Sequence, residues 1–149
     1  MSIVGVTNVV VTNERLPMTS TLSLTDRAEL TDLVSRLGRW LDDGATGDPA
    51  VLFADDVRVS TPGGDSTGVA AIVDQAQRNH DAPTQHVIAN VLADIDGDAA
   101  HVTANMVVTF ADTETQLRRT GGTYAFDATR TAAGWRFASI TVRRVWREG

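Results

Sequence analysis

The sequence predicts an α+β fold, on two observations. Helical periodicity is confined to the first half of the chain, and everything after Pro83 reads as strand and turn. The later segments alternate in period two and are joined by tight turns, as an antiparallel meander requires. A chain of 149 residues fits one domain and can bury a core without disulfides or metals.

Thr25-Asp26-Arg27-Ala28-Glu29 reads as a helix start, with Asp26 as cap and Glu29 completing a capping box. Leu30, Leu33, Val34, Leu37 and Leu41 follow at helical spacing as an apolar stripe, with Trp40 at its edge. Asp42-Asp43-Gly44 ends the pattern, because glycine readily takes the backbone conformation that closes a helix. Asp48-Pro49-Ala50 predicts a short second helix through Leu52, Phe53 and Ala54, with proline at its favoured first position. Val57-Arg58-Val59-Ser60 alternates as a strand, and Pro62-Gly63-Gly64 ends it. A third helix after Gly68 places Val69, Ile72, Val73 and Ala76 on one face, and His80-Asp81-Ala82-Pro83 closes it.

Strands are expected over Gln85–Asp94, Ala100–Phe110, Gly122–Thr129 and Trp135–Trp146, with turns at Asp96-Gly97-Asp98 and Ala133-Gly134. Period two puts His86, Ile88, Asn90 and Leu92 on one side of the first. Thr103, Asn105, Val107 and Thr109 share one side of its partner. A face that mixes polar and apolar residues fits a lined cavity, unless that side is simply exposed.

Composition excludes several classes. There is no cysteine, so neither disulfides nor thiolate metal sites are possible. The formal net charge is -6, and an acidic chain suits nucleic-acid phosphates poorly. Arg118-Arg119 and Arg143-Arg144 read as solvated strand faces more readily than as anion sites. No apolar run approaches the roughly 20 residues that span a bilayer. Ile3-Val4-Gly5-Val6 and Val9-Val10-Val11 are strand-like, but no basic residue precedes them and no small-residue cleavage site follows. That pattern argues against a signal peptide and for a cytoplasmic protein. Residues 1–17 are read as a flexible arm ahead of a single domain over 18–149. His80, His86 and His101 lack metal-ligand spacing, Pro62-Gly63-Gly64-Asp65 lacks a phosphate-loop lysine, and Ser60 and Ser66 have no nearby base. No metal and no cofactor are expected.

Five stretches stand out: Arg39-Trp40-Leu41-Asp42, Leu52-Phe53-Ala54-Asp55-Asp56-Val57, Gly68-Val69-Ala70-Ala71-Ile72, Thr84-Gln85-His86 with Asn90, and Gly134-Trp135-Arg136-Phe137-Ala138 with Val145-Trp146. In this order and spacing they resemble the SnoaL-like branch of the nuclear transport factor 2 superfamily. The resemblance covers about residues 24–147. It implies a cone: three helices packed in a strongly curved, mostly antiparallel sheet around an internal pocket. Within that branch, the pattern is most similar to scytalone dehydratase and its bacterial relatives. Those enzymes use an Asp at the end of the first helix to orient a His in a Thr-Gln-His strand start. Asp42 and His86 match these positions. The chain departs from the pattern where Leu41 and Ser60-Thr61 replace two tyrosines. A second pocket histidine of the family is replaced near Ala111, and the family's Ser and Asn fall where this chain has Gly122 and Tyr124. The resemblance thus implies an Asp–His base with polar partners of its own.

On this reading His86 is the general base and acid, with Asp42 as its orienter. Tyr124 either donates a hydrogen bond to a substrate oxygen or is a core aromatic with its hydroxyl at the rim. Asn105 binds a carbonyl or water, or is an ordinary strand residue, and Asn90 either binds substrate or ties backbone at the sheet edge. Phe53, Val57 and Trp40 are the expected apolar lining. The expected function is a cofactor-independent lyase or isomerase, of dehydratase or cyclase type, on a small and mainly apolar carbonyl compound. The alternatives are an epoxide hydrolase of the same fold and a non-catalytic ligand-binding module. The expected partners are a small hydrophobic molecule and further copies of the chain, a dimer before a trimer, with neither nucleic acid nor membrane.

Overall fold

The computed structural model describes residues 18–149, so the expected arm lies outside the described residues. Helix α1 (Met18–Asp42) and helix α2 (Val69–Asn79) pack with one curved sheet. Its strands are β1 (Phe53–Thr61), β2 (Gly64–Thr67), β3 (Thr84–Asp96), β4 (Ala99–Ala111), β5 (Leu117–Thr131) and β6 (Gly134–Glu148). The order is β2-β1-β6-β5-β4-β3. Among the described residues only β1 and β6 run parallel; the other neighbours are antiparallel. The α+β expectation therefore stands, with two α-helices among the described residues where three are expected.

The missing helix has a local cause. Asp48 caps the Ala50 N–H at 3.0 Å and proline starts a turn, but only a 3-10 turn over Pro49–Val51 forms. The Leu52 carbonyl then accepts the Phe137 N–H at 2.8 Å, which pulls Phe53 into β1 against β6. The first helix also begins earlier than expected, at Met18. Asp26 is inside it and caps nothing. Its carboxylate accepts two bonds from Arg130, at 2.7 and 2.8 Å, and one from the Trp135 indole at 3.1 Å. Strand β2 arises because Pro62-Gly63 reverses the chain instead of ending the sheet.

Leu30, Leu33, Val34, Leu37 and Leu41 are all buried, as the stripe predicts, in one core with Val102, Phe126 and Phe137. Burial of each such side chain contributes roughly 1.5–3 kcal/mol. The inward face of β4 is Ala104, Met106, Val108 and Phe110, so Asn105 faces outward and is exposed. On β3 the register shifts between Ala89 and Leu92, at a bulge where Asn90 has φ 56. His86 and Ile88 face in before it; Val91, Ala93 and Ile95 face in after it. The bulge thus turns Asn90 and Leu92 outward, against the strict alternation expected of them.

The outer face carries a second apolar row. Val87, Val107, Gly121 and Trp146 are register partners across β3, β4, β5 and β6. The Trp146 indole lies on Gly121: a Cβ there would meet it at 2.1 Å.

Candidate active site

Helix α1 stops where its last side chain is needed. Gly44 and Ala45 take φ of 78 and 58, and their N–H groups bond back to the carbonyls of Leu41 and Trp40. Asp42 is therefore the final helical residue, beside the start of β3. Its carboxylate accepts from Thr84 Oγ1 at 3.1 Å and from the His86 backbone N–H at 3.0 Å to each oxygen. The His86 ring Nδ1 lies 2.6 Å from Asp42 Oδ1. A carboxylate can only accept, so Nδ1 carries the proton and Nε2 is left as the free acceptor.

The His86 side chain is 2% exposed and that of Asp42 21%. His86 lines a cavity of about 430 Å³, within the usual range for small-molecule sites. Burial lowers the His86 pKa, the Asp42 hydrogen bond opposes that, and nearby His80 adds to the lowering. The net direction is down, so the imidazole is neutral and basic at neutral pH.

Tyr124 is buried, stacks on Phe126 and lines the same cavity. Burial, with the Asp42 charge adding to it, raises the phenol pKa, so the hydroxyl keeps its proton and acts as a donor. Trp40 and Phe53 also line the cavity, edge to face at 5.3 Å, with the Trp40 indole held by the Gly47 carbonyl at 2.9 Å. Val57 does not; it is fully buried in the core, and Val59 takes the wall position. Asn90 and Asn105 lie outside the site for the reasons of register given above.

One ring at the site has no signal in the sequence pattern. His80, just after α2, lies 5.2 Å from His86 between ring centroids and 6.0 Å from Phe110. Its Nδ1 donates to the Ala76 carbonyl at 2.7 Å, which leaves Nε2 free. A second histidine is therefore present, supplied by position 80 and not by the stretch around Ala111. Only the fold brings it in, because β3 runs back past the end of α2. Thr84, part of the Thr-Gln-His start, gains a role as the second donor to Asp42. Gln75 lines the cavity but is fully used, bonding Gly64, Thr61 and Ser66. Among the described residues no group of three or more His, Asp or Glu is placed to hold a metal, and no helix is long and apolar enough to cross a membrane.

A helix enclosed by a bent sheet, with the carboxylate at its end holding a histidine that lines a cavity, is the fold of nuclear transport factor 2-like proteins. The SnoaL-like domain profile matches residues 22–141, and the chain belongs to that family. Solved structures agree on the fold. A protein from Kribbella flavida is 23% identical, with 85% of this chain and 95% of that one covered, at a TM-score of 0.77. A candidate scytalone dehydratase from Novosphingobium aromaticivorans is 19% identical, with 87% and 90% covered, at 0.78. LinA is 18% identical, with 87% and 92% covered, at 0.78. Comparison with curated proteins gives no match.

Proposed function

We propose that this protein is a cofactor-independent lyase or isomerase, of dehydratase or cyclase type, acting on a small, mainly apolar carbonyl compound. The observation that carries the reading is the 2.6 Å contact of Asp42 with His86 Nδ1, on a ring whose other nitrogen is left for the cavity. Nε2 takes a proton from the carbon beside the carbonyl. The Nδ1–H stays on Asp42, which stabilises the imidazolium that forms. Tyr124 donates to the developing enolate oxygen. The imidazolium then returns its proton, either to a β-hydroxyl that departs as water or, where a neighbouring C=C bond makes the enolate a dienolate, to its γ-carbon. The first outcome is a dehydration and the second an isomerisation. General acid–base help of this kind supplies on the order of 10²–10⁴ in rate.

The similarity to a candidate scytalone dehydratase supports the same reaction class. Epoxide opening by two acids bridged by an arginine finds no support, since no aspartate or glutamate lines the cavity. The functional form proposed is a homo-oligomer, with a dimer favoured. The catalytic reading is tested by proton exchange at the α-carbon of cyclic ketones such as 2-tetralone in D2O, followed by NMR. Exchange above the buffer rate that disappears in His86→Gln is expected. Exchange equal in the two proteins would remove His86 as the base.

A further inference from the structure

Arg143 and Arg144 are neighbours in sequence, and a strand turns neighbours to opposite faces. Arg144 stands in the inward row that runs Ile88, Met106, Gly122, Arg144 across four strands. It lines the rim of the cavity. Arg118 lines it too, but its guanidinium is already engaged. It forms a fork on Asp112 at 2.6 and 2.9 Å and covers the Phe110 ring at 4.8 Å. Arg144 has no hydrogen-bond or ion-pair partner among the described residues. No carboxylate lines the cavity to neutralise it. A chain of net charge -6 therefore holds an uncompensated cation at the mouth of an apolar cavity.

The row also leaves a passage inward. A Cβ at Gly122 would meet the Arg143 carbonyl oxygen at 2.2 Å, so this position has no side chain. In this row, between Thr120 and Tyr124, β5 places no side chain between Met106 and Arg144. Strands β3 and β6 are three spacings apart, about 14 Å along the sheet, and the curvature brings their inner faces closer. A guanidinium matches a carboxylate in shape and charge, and does so more strongly where water is partly excluded.

We infer that the substrate is an organic carboxylate: an apolar body of one or two rings, with its carboxylate on Arg144 at the mouth and its acidic C–H toward His86. The inference rests on the proton-transfer reading of the same cavity, which decides which end enters first. It is tested by calorimetric titration with 2-naphthoate and its neutral isostere 2-naphthamide at mildly alkaline pH, where His86 is uncharged. The wild type binds the carboxylate tighter by roughly tenfold or more. Arg144→Gln loses that preference while binding the amide as before. Arg144→Lys keeps part of it, and Arg143→Gln on the outer face keeps all of it. Equal binding of the two probes, binding of neither, or a preference that survives Arg144→Gln overturns the inference. Turnover plays no part in this measurement. A missing preference alongside His86-dependent proton exchange removes only the carboxylate. A clear preference in a protein that exchanges no proton leaves the carboxylate site standing and removes only the catalytic reading.

Discussion

Gly38 lies against His86, one helical turn before Asp42. A Cβ on Gly38 would stand 3.6 Å from the His86 Cβ and 3.2 Å from Ile88 Cδ1. The bare turn of α1 lets β3 approach the helix closely enough for the 2.6 Å contact between Asp42 and the imidazole.

Gly38→Ala therefore separates stability from chemistry. The helix interior gains up to about 1 kcal/mol from losing a glycine, and the tight contact with Ile88 offsets it. Thermal unfolding is expected to shift by only a few degrees. The α-proton exchange rate falls by about tenfold or more, because small displacements of a catalytic pair are amplified in rate. Gly38→Val, with two more carbons in the same space, loses both. Full exchange activity in Gly38→Ala would show that this turn does not set the position of β3.

Asp42 acts on the chain and on the ring at once, since Thr84 and the His86 backbone N–H share its carboxylate with the imidazole. Asp42→Asn keeps an acceptor for the backbone and is expected to lose less than about 1.5 kcal/mol. Asp42→Ala leaves those donors without an acceptor and loses about 1–3 kcal/mol. Both lose about 10²-fold or more in exchange rate, because neither holds the imidazolium. Denaturant unfolding and the exchange assay, run on the same samples, check both halves.

The pH dependence follows from the lowered His86 pKa. Activity rises with pH through that pKa, so its acid limb lies below the ordinary imidazole value of about 6.5. Stability has the same sign. Protonation favours the unfolded chain, where the histidine is unperturbed, so the contribution is full above about pH 6.5 and is lost as pH falls through the folded pKa. His80→Gln removes one cause of the lowering and moves the limb upward. NMR titration of the His86 ring in the two proteins reads the shift directly; a limb that moves down would contradict it.

The outer row predicts the assembly. Val87 is 65% exposed and Trp146 43%; Val145 at 65% and Leu92 at 71% are further exposed apolar side chains of β6 and β3. Such a patch on a sheet face favours self-association. Light scattering at micromolar concentration is expected to give a dimer for the wild type and a monomer for Val87→Asp. A wild-type monomer would leave the row without that role.

What is legible in the sequence is what local spacing encodes. The Leu30-to-Leu41 stripe, the stop at Gly44 and the long meander strands all depend on neighbours within a few residues. The Asp42–His86 pair is legible through resemblance, since nothing local joins residues some forty positions apart. The misses share a different cause. Asn90 takes a left-handed turn that flips the phase of β3; asparagine tolerates that conformation better than most residues, but its type alone does not require it. Leu52 and Phe53 leave their expected helix for a partner in β6. Asp26 has the residue type of a cap, but Arg130 and Trp135 hold it. His80 meets His86 only once β3 has folded back.

The order of strands has a consequence in time. Strand β1 has two neighbours: β2, which follows at once, and β6, which begins at Gly134. At about 5–20 residues per second, synthesis leaves the β1–β2 hairpin without its main partner for on the order of 4–15 s. Val59 and Thr61 of that hairpin, and Ile140 and Val142 of β6, all form walls of the cavity. The cavity can therefore close only after most of the chain has emerged, and pairing across so long a separation places this fold among the slower ones. A nascent chain halted before Gly134 would carry α1 and the β3–β5 meander without the strand that joins them to the hairpin.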